Sequence, residues 1–87
     1  VGQGHWHVEF AEAFRSWVGR RRPSLDEEIA VFFFLVDCER SGPPVDVVAD
    51  DRGNLTATTG QGRTVQFRRY DNPGAGATGY MLVLRIS

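Results

Sequence analysis

The stretch His5-Trp6-His7-Val8-Glu9-Phe10 alternates strictly between two chemistries. Trp6, Val8 and Phe10 are apolar, while His5, His7 and Glu9 are polar. A period of two marks a half-buried β-strand, one face on a core and one in water. Both histidines of the chain then share the wet face, roughly 6.5–7 Å apart, with a carboxylate next in line. That spacing suits a metal-ligand pair, an acid/base pair, or a plain solvated sheet face.

Beyond this strand the period changes to that of a helix. Phe10, Phe14, Trp17 and Val18, with Ala13, form one apolar stripe at i, i+3, i+4, i+7 and i+8 spacing. Gly19 and the run Arg20-Arg21-Arg22 close the segment, the arginines complementing the helix dipole, and Pro23 blocks continuation. Ser24 opens a second helix, with Glu27 three residues on as a capping box and Asp26, Glu27 and Glu28 in the first turn. From Ile29 to Val36 this helix is apolar on every side, which predicts the most buried element of the fold. Phe32, Phe33 and Phe34 span most of a turn, so part of that surface must meet the first helix or a partner chain. Ser41-Gly42-Pro43-Pro44 is a strong stop.

The remainder reads as strands. Val45–Ala49 is a short edge strand, followed by Asp50-Asp51-Arg52-Gly53. Asn54–Thr59 leads through a Gly60-Gln61-Gly62 hairpin turn into Arg63–Tyr70. There Val65, Phe67 and Arg69 share the inner face, and Thr64, Gln66, Arg68 and Tyr70 the outer. Residues 71–79 form a Gly-rich connector, which lacks the Gly-Lys-Ser/Thr ending of a phosphate loop. Tyr80–Ile86 closes the chain, apolar on both sides as an interior strand would be. Tyr80, Leu82, Leu84 and Ile86 fall on one face; Met81, Val83 and Arg85 fall on the other. The expected fold is thus α+β, in the order β-α-α-β-β-β(-β), with a two-helix hairpin packed on one face of an antiparallel sheet. The other face is open.

Eighty-seven residues make one domain, 1–87, of a size that folds alone with little margin. Val1-Gly2-Gln3-Gly4 reads as a processing remnant. All ten basic residues are arginine, so no Schiff-base or general-base lysine exists. A formal charge of −1 provides no global field toward nucleic acid or membrane. The single Cys38 allows neither an internal disulfide nor a cysteine zinc site, and points to a reducing, cytoplasmic setting. No signal peptide or membrane span is expected.

The opening Trp6-His7-Val8-Glu9-Phe10, the Phe14 to Trp17 helix, the Gly42-Pro43-Pro44 exit and the late strand Arg63-Thr64-Val65-Gln66-Phe67-Arg68 together resemble the RelE/ParE superfamily of bacterial toxins, especially its HigB-like branch. The resemblance implies a toxin held by a cognate antitoxin. RelE- and HigB-like members cleave mRNA on the ribosome, whereas ParE-like members poison DNA gyrase. Two functions stay open: a metal-independent mRNA endoribonuclease, or a non-catalytic protein-binding module. The His/Glu/Arg face favours the first and the near-zero charge the second.

Cleavage of RNA without a metal needs a base for the 2′-hydroxyl, an acid for the leaving oxygen, and cations for phosphorane charge. His5, His7 and Glu9 are candidates for proton transfer. Tyr70 is a candidate for base stacking or proton donation. Arg68 and Arg85 are catalytic candidates, and Arg63 and Arg69 substrate-binding ones, because guanidinium clamps phosphate bidentately. A metal would need Asp46 or Asp71 to join the histidines, and nothing in the spacing demands it, so no metal or cofactor is expected. The surface Phe32–Phe34 is a candidate homodimer interface.

Overall fold

The structure is a computed structural model and describes residues 6–71 and 79–87. Its elements are β1 (Trp6–Glu9), α1 (Ala11–Arg21), α2 (Leu25–Ser41), β2 (Val48–Ala49), β3 (Leu55–Thr58), β4 (Thr64–Asp71) and β5 (Gly79–Ile86). The five strands form one sheet in the order β1-β5-β4-β3-β2. Both helices pack on one side of it, an α+β architecture in the expected order. His5 and most of the Gly-rich connector lie outside the described residues.

One sheet contact differs from expectation. β1 joins β5 in parallel, Trp6 opposite Gly79 and Glu9 opposite Leu82, while every other pairing is antiparallel. A parallel neighbour requires a long crossover, and here everything between β1 and β5 provides it. β5 is therefore interior, as its two apolar faces foretold.

A bulge resolves the faces of β5. Gln66 pairs with Arg85 but Phe67 pairs with Val83, so Leu84 is the extra residue. An inserted residue reverses the alternation beyond it. Met81 and Val83 enter the core, Leu84 is exposed, and Ile86 returns to the core. The expected grouping of Ile86 with Tyr80 and Leu82 fails for that reason.

The capping box on α2 is formed. Ser24 Oγ accepts from the Glu27 amide at 3.2 Å, and the Ser24 amide donates to Glu27 Oε1 at 3.1 Å. At the other end the Gly42 amide donates to the Cys38 carbonyl. α1 runs through Gly19 to Arg21, and its left-handed cap falls on Arg22, where Pro23 disfavours another helical residue. The turn at residues 59–63 closes with Thr59 N–H donating to the Arg63 carbonyl at 2.7 Å.

Contrary to the sequence reading, α2 is not buried all round. Val31, Leu35 and Cys38 face the sheet, while Leu25, Ile29, Phe32 and Phe33 are exposed. A two-layer fold covers one stripe of each helix, and an all-apolar run does not reveal how many layers surround it. Of the three phenylalanines, Phe34 alone is packed against the core with Phe32 and Phe33 turned out.

The core joins Trp17 of α1, Leu35 of α2, and Val65, Phe67, Met81 and Ile86 of the sheet, all fully buried. Trp6 lies at one margin, seated between Gly42 and Gly79. Arg20 reaches from α1 to the Ile86 carbonyl at 3.0 Å and ties the helix to the last strand.

Candidate functional site

The alternation of β1 turns Trp6 and Val8 inward and His7 and Glu9 outward. Sheet register then decides what stands beside them. His7 is opposite Tyr80, and Tyr80 is opposite Tyr70, so one row across three strands carries three rings on the open face. The His7 and Tyr80 rings are stacked, with centroids 5.2 Å apart and planes within 5°. Tyr70 continues the row at 6.0 Å from Tyr80, tilted by 38°.

Glu9 adjoins this row. Its Oε1 lies 3.5 Å from His7 Nε2, and both side chains are more than half exposed. A carboxylate beside an imidazole orients the ring. The pair can accept or donate a proton at the surface, and the aromatic row can stack planar ligands.

The arginines divide. Arg68 occupies the next row, opposite Leu82, but its Nε donates to Asn54 Oδ1 at 2.7 Å and its Nη2 to the Arg52 carbonyl at 3.1 Å. It thereby anchors the β2–β3 turn, which Asp50 also holds by accepting from the Arg52 and Asn54 amides. Those bonds keep the Asp50 carboxyl below its ordinary range, the Asn54 amide contributing most. Arg85 is exposed on the open face, five residues from Tyr80 and so roughly 16 Å along the strand.

Arg63 and Arg69 face the helix side instead. The Arg63 guanidinium pairs with Glu27 at 2.5 Å and lies over the Trp17 ring, 5.8 Å from its centroid. The Arg63 hydrogen bond, with help from the Ser24 amide, holds the Glu27 carboxyl below its usual value. Arg69 lies 5.1 Å over the Trp6 ring, on the inner face as the alternation of β4 predicts. Neither shares the open face with His7.

Tyr80 is the residue that sequence reasoning missed. Its place beside His7 depends on the β1–β5 pairing, and no local pattern encodes that contact. Cys38 is no candidate nucleophile: burial, and secondarily Asp37, push its thiol up to about 12, so it stays protonated at neutral pH. Among the described residues no three His, Cys, Asp or Glu side chains gather as a metal site, and no helix is long and apolar enough to cross a membrane.

Two open, apolar grooves lie on the helical layer. A groove of about 410 Å³ runs between the helices along Phe10, Phe14, Val18 and Phe32. A neighbour of about 350 Å³ shares Phe14, Glu28 and Phe32 and extends to Leu25, Ile29 and Phe33. No family model, curated protein or solved structure matches the chain.

Proposed function

We propose that this chain acts on RNA through the open face of its sheet, as a cytoplasmic mRNA endoribonuclease toxin restrained by a cognate antitoxin. The observation that carries this reading is the His7–Tyr80–Tyr70 row with Glu9 at its end. Exposed rings on a sheet are the platform on which unpaired bases stack. In this reading Tyr80 and Tyr70 hold a splayed base, and His7, oriented by Glu9, takes the 2′-hydroxyl proton. The 2′-oxygen attacks the adjacent phosphorus, the bond to the 5′-oxygen breaks, and that oxygen takes a proton from water, leaving a 2′,3′-cyclic phosphate and a 5′-hydroxyl end. Arg85 contributes charge to the phosphate path at the far end of the face.

The test is binding of a fluorescent single-stranded RNA by the purified protein across a salt series. Affinity is expected to fall with salt, since phosphate contacts release counterions. Tyr80→Ala is expected to weaken binding by about 10- to 100-fold, the worth of stacking one base. Absence of binding, or binding indifferent to both salt and Tyr80, overturns the reading. A second reading, a non-catalytic module directed at a protein such as gyrase, is favoured by the net charge of −1 and the exposed aromatics of α2. It expects capture of a protein target with no RNA affinity.

A further inference from the structure

The outward stripe of α2 has an internal order that exposure alone does not require. Asp26, Ile29, Phe33, Val36 and Arg40 follow one another at three- and four-residue steps, the spacing of a seam along a helix. Asp26, Ile29, Phe33 and Arg40 are exposed and Val36 is half-buried. The centre of the seam is apolar, its N-terminal end is acidic and its C-terminal end basic. Phe33, at its midpoint, is 61% exposed.

Such a stripe is complementary to itself reversed. A two-fold axis at Phe33 carries each residue to the position equally far on the other side. Asp26 then meets Arg40 of the second copy and Phe33 meets Phe33, while Ile29, four positions from the axis, falls at Asp37, one position past Val36. Isologous contacts have this reciprocity. No ion pair within the chain uses Asp26 or Arg40 among the described residues, so both charges are available for the exchange. The adjoining groove along Phe14, Leu25 and Phe32 continues the apolar surface onto α1.

We infer that α2 is the seam of an antiparallel, two-fold homodimer of this chain, registered by Asp26–Arg40 pairs on either side of Phe33. Phe32 and Phe33 expose about 200 Å² between them at the usual size of an aromatic side chain. A standard interface takes about 800 Å² from each partner, so this one is small and its association weak. It occupies the helical layer and leaves the His7 row open, so it stands or falls apart from the RNA reading.

Sedimentation velocity of the full chain from about 1 to 200 μM, a range suited to a weak interface, is the test. The wild type is expected to pass from monomer to dimer, and Phe33→Asp to stay monomeric. Asp26→Arg and Arg40→Asp each turn two attractive pairs into repulsive ones and are expected to weaken dimerisation about tenfold. The double variant D26R/R40D restores both pairs and is expected to dimerise like the wild type. An equimolar mixture of the two single variants is expected to form heterodimers. Thermal melts check that each variant folds. A wild type monomeric throughout, a dimer indifferent to Phe33→Asp, or a double variant no better than the singles overturns the inference.

Discussion

Gly79→Ala probes how Trp6 is seated and, through it, how β1 presents His7. A methyl group at Gly79 would stand 2.3, 2.4 and 2.7 Å from Cζ3, Cη2 and Cε3 of Trp6. Carbon atoms rest near 3.5–4.0 Å, so the ring would have to recede by about 1 Å. Retreat is obstructed. Gly42 lies against Nε1 on another side, close enough that a Cβ there would sit 3.0 Å away, and Arg69 covers a face of the ring. Overpacking typically costs 1–3 kcal/mol, and a clamped ring places this variant near the top, at about 3 kcal/mol. For a domain of this size that lowers Tm by about 12–24 °C. Urea denaturation of wild type, Gly79→Ala, Trp6→Phe and the double variant is the assay. Phe lacks the outer ring atoms, so the double variant is expected to recover at least about 1.5 kcal/mol relative to additivity. A Gly79→Ala loss below about 0.5 kcal/mol, or strict additivity, refutes the seating.

Three further outcomes follow from particular contacts. Ser24→Ala removes the acceptor for the Glu27 amide and is expected to cost about 1 kcal/mol, read as a lower urea midpoint with unchanged slope. Cys38, its thiol pushed up to about 12, is expected to resist iodoacetamide at pH 8 in the native state and to react once the chain unfolds. The folded Glu27 carboxyl titrates below its ordinary value, so its contribution is complete above the unfolded pKa and is lost as pH falls through the folded one. Glu27→Gln is accordingly expected to flatten the fall in stability below about pH 4.5, measured by thermal melts from pH 3 to 7.

What was legible in the sequence is what is local. The alternation in β1 places His7 and Glu9 outward from six residues, and that of β4 places Arg69 with Val65 and Phe67. The capping box at Ser24 and Glu27 and the turn at residues 60–62 are encoded within a few positions each. What escaped depends on partners far along the chain. The parallel pairing of β1 with β5 puts Tyr80 beside His7, although 73 positions separate them. The extra residue Leu84 is visible only against β4. Arg63 reads as a phosphate binder in isolation, and only the docked helices supply Trp17 of α1 and Glu27 of α2 as its neighbours. The exposure of Phe32 and Phe33 reflects the number of layers, a global property that apolar content cannot report.

The most direct test of the RNA reading is inducible expression in a bacterium, with growth followed alongside transcriptome-wide mapping of new 5′ ends. Wild type is expected to arrest growth and to generate discrete ends within translated transcripts. His7→Ala and Tyr80→Ala, both on the open face, are expected to lose the ends and the arrest while remaining folded. Arrest without new ends, undisturbed growth, or cleavage undiminished in both variants would contradict a nuclease built on the His7–Tyr80–Tyr70 row.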